Sequence, residues 1–106
     1  MAAIWAVVAA IPRGDALSYG EVARRAGLPR RARLVARALQ AAPDELELPW
    51  HRVVNARGAI SLPAGSQDHA EQRRRLEEEG VVFHNDRIAA FRSSPATLDE
   101  ILWRPR

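Results

Sequence analysis

Two places in this 106-residue chain gather side chains able to do chemistry. One is Pro49-Trp50-His51-Arg52-Val53-Val54, where an imidazole stands between an indole and a guanidinium. His51 could serve as a general base, but no second catalytic group accompanies it in the sequence. The chain has no cysteine, which excludes thiol nucleophiles, thiolate metal sites and disulfides. His69 and His84 are far apart and unaccompanied, so neither a metal nor a cofactor is expected.

The other place is the stretch from Arg24 to Arg37. It holds Arg24, Arg25, Arg30, Arg31, Arg33 and Arg37 and no acid, in a chain whose net charge is only +3. Such a run is either a solvated helix face or a phosphate-binding surface. All 16 basic residues are arginine, so any phosphate contact would be made by planar, permanently charged forks.

The elements that would position these groups can be read from the pattern. Residues 3–11 are an apolar helix ended by Pro12-Arg13-Gly14-Asp15. That opening lacks a basic flank and so predicts a core helix rather than a signal peptide, and a cytoplasmic protein. No apolar run reaches membrane-spanning length. Ser18-Tyr19-Gly20-Glu21 reads as a capping box, with Ser18 as N-cap, opening a helix that buries Val22, Ala23 and Ala26 and stops at Gly27. After Leu28-Pro29 a second helix is predicted over about 30–41. Leu34, Val35, Ala38 and Leu39 form its apolar face, and Arg30, Arg33 and Arg37 form another face. Two short helices about a glycine-containing turn are the helix-turn-helix pattern. The second helix has the apolar back and basic front that a groove-entering helix needs. Residues 52–55 and 59–61 suggest a small β-hairpin about Ala56-Arg57-Gly58. A charged helix follows over 67–79 with Gly80 as its stop, then an extended Val81-Val82-Phe83. The remainder is expected to be irregular, with Ile101, Leu102 and Trp103 docking on the body. The reading is one domain over 1–106: mostly α with a small β-hairpin, a helix-turn-helix (winged-helix-like) DNA-binding domain. The helix-turn-helix spans about 18–41, a pocket about 49–66 and a C-terminal tail about 84–106.

Trp50-His51-Arg52-Val53 after Pro49 resembles the P-C-H-R-V motif of O6-alkylguanine-DNA alkyltransferases, with Trp in place of Cys. Ile11-Pro12-Arg13-Gly14, Ser18 to Ala23, Ala32-Arg33 and Leu76 to Gly80 match the same family in order. Together they cover about residues 4–83. The Trp places the chain nearest the alkyltransferase-like proteins, which keep the DNA-binding domain and lack the alkyl acceptor. The resemblance implies binding through the minor groove, rotation of O6-alkylguanine into a pocket without removal of the alkyl group, and transfer of the lesion to nucleotide excision repair. The implied partners are double-stranded DNA containing O6-alkylguanine and nucleotide excision repair proteins. A monomer is expected, with no membrane association, nucleoid-associated when bound to DNA.

Carried over residue by residue, Arg33 matches the finger that fills the stack left by the flipped base; otherwise it is a surface arginine on a phosphate. Tyr19 matches the tyrosine beside the rotated phosphate; otherwise it is a half-buried aromatic at a helix start. Trp50 would be an apolar pocket wall or simply fill the vacated site. Backbone carbonyls at Trp50 and Val53 match those that accept from the guanine amino group. Arg30 and Arg37 would contact DNA beside Arg33. His51 and Glu79 match the pair that activates the thiol in true transferases; here they are expected to persist as a buried hydrogen-bond network, with no catalytic residue. Arg52 is expected to pair with a helix end or a carboxylate. Ala42-Pro43 departs from the family's Asn-Pro, and Pro63 stands where some alkyltransferase-like proteins carry a basic residue that stacks on the lesion. A sequence-reading regulator of the helix-turn-helix type is the alternative function.

Overall fold

The computed structural model describes residues 1–91. Ile101, Leu102 and Trp103, with their expected docking, lie outside the described residues. Four α-helices carry the fold: α1 (Ala2–Ala9), α2 (Tyr19–Arg25), α3 (Ala32–Ala41) and α4 (Gln67–Glu78). Two-residue strands β1 (Leu17–Ser18), β2 (Val53–Val54), β3 (Phe83–His84) and β4 (Arg87–Ile88) tie the segments between them. α1, α2 and α3 close on a core of Ile4, Val8, Ile11, Val22, Ala23, Val35, Ala38 and Val53. Leu34 and Leu39 pack against that core, as the apolar face of α3 requires. The Trp5 indole N–H donates to the carbonyl of Ala38 at 2.8 Å, fastening α1 to α3. A second cluster, Val54, Leu76 and Val81 with Phe83, Ile88 and Phe91, seats α4 on the other side of β2.

The helix ends follow from local chemistry. Ser18 Oγ accepts from the Glu21 amide at 3.0 Å, which starts α2. The capping box is only half made, because the Glu21 carboxylate turns forward to Arg24 and Arg25 instead of back to the Ser18 amide. At the end of α2, Gly27 has φ +80°, and Leu28 N–H donates to Ala23 and Gly27 N–H to Arg24. This is a Schellman stop. The same pair of bonds closes α4 through Gly80 and Val81.

Three expectations are corrected. Val53 and Val54 do not form a hairpin with 59–61; they pair in parallel with Leu17 and Ser18. The turn at 55–58 does form, with Asn55 Oδ1 accepting from Arg57 and Ala59. Its second arm, however, bridges through Ala59 to Arg87. Asn55 N–H still donates to the Ala59 carbonyl at 2.9 Å across the turn, but beyond that bond both arms take partners distant in sequence, which a local pattern cannot reveal. The antiparallel hairpin lies instead at β3–β4, pairing Phe83, read as extended, with Ile88 in the stretch read as irregular. Arg30 is not helical. Arg31 N–H donates to the Leu28 carbonyl at 3.2 Å, and Arg30 has φ +69°. Proline at the second position and positive φ at the third make a type II turn. A face shared by helical spacing therefore holds for Arg33 and Arg37 but not for Arg30.

Glu79 joins the two halves of the fold. Its side chain is 6% exposed and is held from three directions. Arg52 Nε and Nη2 donate to its two oxygens at 2.9 and 2.7 Å, His51 Nε2 donates at 2.8 Å, and the Gly14 amide donates at 3.2 Å. Arg52 Nη1 also donates to the Ile11 carbonyl at 2.8 Å, so Arg52 is structural, as expected. The Arg52 hydrogen bonds outweigh the opposing effect of burial, and with His51 and Gly14 they bring the Glu79 carboxyl from 4.5 down to about 2.

A depressed carboxylate contributes stability above its unfolded value and loses it as pH falls through its folded value. Denaturant titrations should therefore show full stability above pH 4.5 and a decline toward pH 2, of roughly 2 kcal/mol after allowance for solvent screening. Glu79→Gln should lower stability at pH 7 by about 3 kcal/mol and flatten that decline; an unchanged acid profile would remove Glu79 from this role. Arg30→Gly should keep or raise the melting temperature, because glycine occupies positive φ without strain. A melting temperature lowered by several degrees would contradict the turn.

Candidate nucleic-acid interface

The helix-turn-helix presents its charge less evenly than the count of arginines suggests. Glu21 is almost fully buried, and both Arg24 and Arg25 fold onto it, with contacts of 2.6 and 2.7 Å. Burial works to raise the Glu21 carboxyl, but the hydrogen bonds from Arg24 and Arg25 prevail and lower it. Arg30, Arg31, Arg33 and Arg37 are exposed, and their guanidinium groups have no hydrogen bond or ion pair among the described residues. The basic surface is thus the turn before α3 and the outward face of α3, in place of the whole 24–37 stretch. Arg33 stands in the first turn of α3, and Arg37 one turn later on the same face.

Tyr19 opens α2 and is half-buried. Its hydroxyl meets Ser61 Oγ at 3.1 Å, which links the helix start to the loop after the 55–58 turn. Pro63 is exposed in that loop, and its carbonyl accepts from the Ser66 amide and hydroxyl at the start of α4. Val53 is buried, and its carbonyl accepts from Gln72 Nε2 at 2.9 Å. The Trp50 carbonyl accepts from the Val53 amide. Each carbonyl keeps one further lone pair.

Trp50 and His51 share a short 3-10 turn but face different surroundings. His51 is buried on Glu79 through Nε2, and its Nδ1 has no hydrogen-bond partner among the described residues. The pair forms the expected buried network, though Arg52 occupies the same carboxylate. The half-buried Trp50 lines an open groove of about 510 Å³ with Leu39, Pro43 and Leu48, and with Asp44, Glu47 and Arg75 among its polar residues. Of residues 49–66, Trp50 alone lines it; the other walls come from the end of α3, the loop after it, and α4. Arg75 lies over the Trp50 ring, its guanidinium carbon 5.5 Å from the centroid, and donates through Nε to Glu71 at 2.6 Å.

Arg75, Asp44 and Glu47 were not singled out in the sequence. Glu71 and Arg75 carry the i, i+4 signature of a surface helix pair, which says nothing of Trp50. The buried Gln72 was also missed; its amide holds the His51 and Val53 carbonyls together. No group of three His, Cys, Asp or Glu suited to a metal occurs among the described residues, and no described helix is long and apolar enough to cross a membrane.

Comparison with known proteins agrees with this arrangement. The family model described as "6-O-methylguanine DNA methyltransferase, DNA binding domain" matches residues 1–81. Alkyltransferase-like protein 1 of Schizosaccharomyces pombe is 38% identical over 102 residues, 96% of this chain and 92% of that protein. The DNA base-flipping protein of Escherichia coli is 49% identical over 79 residues, 74% of this chain and 60% of that protein. Among solved structures, S. pombe Atl1 in complex with damaged DNA containing O6-carboxymethylguanine is similar at a TM-score of 0.69 and 42% identity. The match covers 78% of this chain and 77% of that one. The Mycobacterium tuberculosis OGT–DNA complex is similar at 0.62 and 34%, covering 74% of this chain and 47% of that one. A helix-turn-helix with an arginine-bearing second helix, carried on a matching fold and sequence, assigns the chain to the 6-O-methylguanine DNA methyltransferase DNA-binding family, with alkyltransferase-like and DNA base-flipping proteins among its relatives.

Proposed function

We propose that this protein recognises O6-alkylguanine in double-stranded DNA without repairing it, and flags the lesion for nucleotide excision repair. The observation that carries this reading is Trp50. In a chain of the methyltransferase DNA-binding family without cysteine, an indole stands beside the His51–Glu79 pair where the resemblance places the reactive thiol. S-alkyl transfer has no acceptor here, whereas the DNA-binding helices remain. Relatives named for base flipping and solved with damaged DNA support binding as the retained activity.

Arg30, Arg31 and Arg37 would engage phosphates while Arg33 enters the minor groove and replaces the extruded base. Extrusion costs on the order of a few kcal/mol, and less for a poorly paired base. An O6-alkyl group removes a Watson–Crick proton and lowers that cost. Tyr19 would crowd the target phosphate and, once its hydroxyl leaves Ser61, bond the rotated base. The alkyl group would pack on Trp50, with the Trp50 and Val53 carbonyls taking the guanine amino group and the Pro63 loop closing the pocket edge. Cytoplasmic location with nucleoid association when bound belongs to the same proposal, as does action as a monomer.

Equilibrium binding to a short duplex containing one O6-methylguanine should exceed binding to the same duplex with guanine by roughly tenfold, about 1.4 kcal/mol. Equal affinities would leave plain DNA binding in its place. Arg33→Ala should abolish most of that preference; a variant as selective as the parent would remove Arg33 from the finger role. Intact-mass measurement after incubation with the lesion duplex should show no added alkyl group, and a mass gain of one methyl would establish a transferase.

A further inference from the structure

The groove beside Trp50 carries a charge pattern that bears on which adducts it accepts. Asp44 and Glu47 line it, both exposed, and neither carboxylate has a hydrogen bond or ion pair among the described residues. Its one lining cation, Arg75, is paired through Nε with Glu71, a carboxylate it shares with Arg74. Arg75 donates to Glu71 at 2.6 Å while its guanidinium lies against the Trp50 ring. The floor is apolar, from Leu39, Leu48 and the indole. A substituent entering over Trp50 therefore meets an apolar base, two carboxylates without ion-pair partners among the described residues, and one guanidinium already paired with Glu71. The groove sits at the C-terminal end of α3, the opposite end of that helix from Arg33, and none of Arg30, Arg31, Arg33 or Arg37 lines it.

We propose that this groove selects O6-alkyl groups by charge: it favours adducts ending in a cation or a hydrogen-bond donor and disfavours carboxylated adducts, with Asp44 and Glu47 as the determinants. The inference rests on the lesion-binding reading, because it takes the alkyl group to lie over Trp50. S. pombe Atl1 is solved with an O6-carboxymethylguanine duplex, which makes that adduct a direct comparison. Two solvent-accessible pairs, attractive for one adduct and repulsive for the other, give a spread of roughly tenfold.

The test measures equilibrium binding of the whole chain to four duplexes identical but for one base: O6-methylguanine, O6-(2-hydroxyethyl)guanine, O6-(2-aminoethyl)guanine and O6-carboxymethylguanine. A guanine duplex serves as reference. Because the phosphates are the same throughout, ratios between adducts isolate the groove from the basic surface. The expected order is aminoethyl tightest, hydroxyethyl between, and carboxymethyl weakest, with the two extremes about tenfold apart. The double variant Asp44→Asn with Glu47→Gln changes two exposed side chains, and should collapse that spread while leaving the methyl-to-guanine ratio unchanged. Carboxymethyl bound as tightly as hydroxyethyl, or an order that survives the double variant, overturns the charge selection while the lesion reading stands. A methyl duplex bound no better than guanine overturns the lesion reading, and this inference falls with it.

Discussion

Glu79 caps the C-terminal end of α4, where the helix dipole is already negative and an added carboxylate is unfavourable. Its side chain is also nearly enclosed. A charge so placed is stable only when its lone pairs are filled, and here they are filled by the Arg52 fork, by His51 and by the Gly14 amide. Those donors come from the turn after α1 and from the turn before β2, so one carboxylate fixes two separate segments against α4. Gly14 takes part because it has φ +89°, and a Cβ there would meet the Glu79 carbonyl oxygen at 3.3 Å. Breaking a buried pair by deleting one partner costs more than never having built it. By that asymmetry, loss of any one of these donors would leave a buried charge short of partners, which makes the network a structural joint of the fold.

The same arrangement places the remaining parts. With Arg52 anchored on Glu79 and Ile11, β2 continues into its parallel pairing with β1 and places Ser18 at the start of α2. Tyr19 follows at the first helical position. The Schellman stop at Gly27 and the type II turn at Pro29-Arg30 then aim α3 across the face of α1 and α2. Arg33 and the Trp50 groove are thereby held at opposite ends of one rigid helix.

Much of this was legible in the residues. The four helices, their stops at Gly27 and Gly80, and the buried face of α3 follow from short-range rules of capping and periodicity. The pairing of His51 with Glu79 came from resemblance, and Arg52 was assigned no named partner; the structure shows why, since Glu79 lies 28 residues from His51 and 27 from Arg52 and no local rule joins them. What escaped the sequence is pairing at a distance. The β1–β2 bridge and the β3–β4 hairpin involve two-residue strands too short to show alternation. Arg75 over Trp50 depends on how α4 crosses the 3-10 turn, and spacing does not encode that. Arg30 was misread because helical spacing was extended through a residue that follows proline.

The retreat of Arg24 and Arg25 onto Glu21 has a kinetic side. Each phosphate neutralised releases condensed counterions and steepens the dependence of affinity on salt. If Arg30, Arg31, Arg33 and Arg37 are the contacts this stretch makes with phosphate, their share of the logarithmic slope is about −3.6, against about −5.4 were Arg24 and Arg25 added. A fourfold rise in salt then weakens binding by roughly a hundredfold instead of roughly a thousandfold. Fewer phosphate contacts, the cause of that shallower slope, also mean that undamaged duplex holds the protein less tightly, because those contacts supply the sequence-independent part of the affinity. A protein that must inspect many intact bases for each altered one gains residence where it matters by releasing quickly everywhere else.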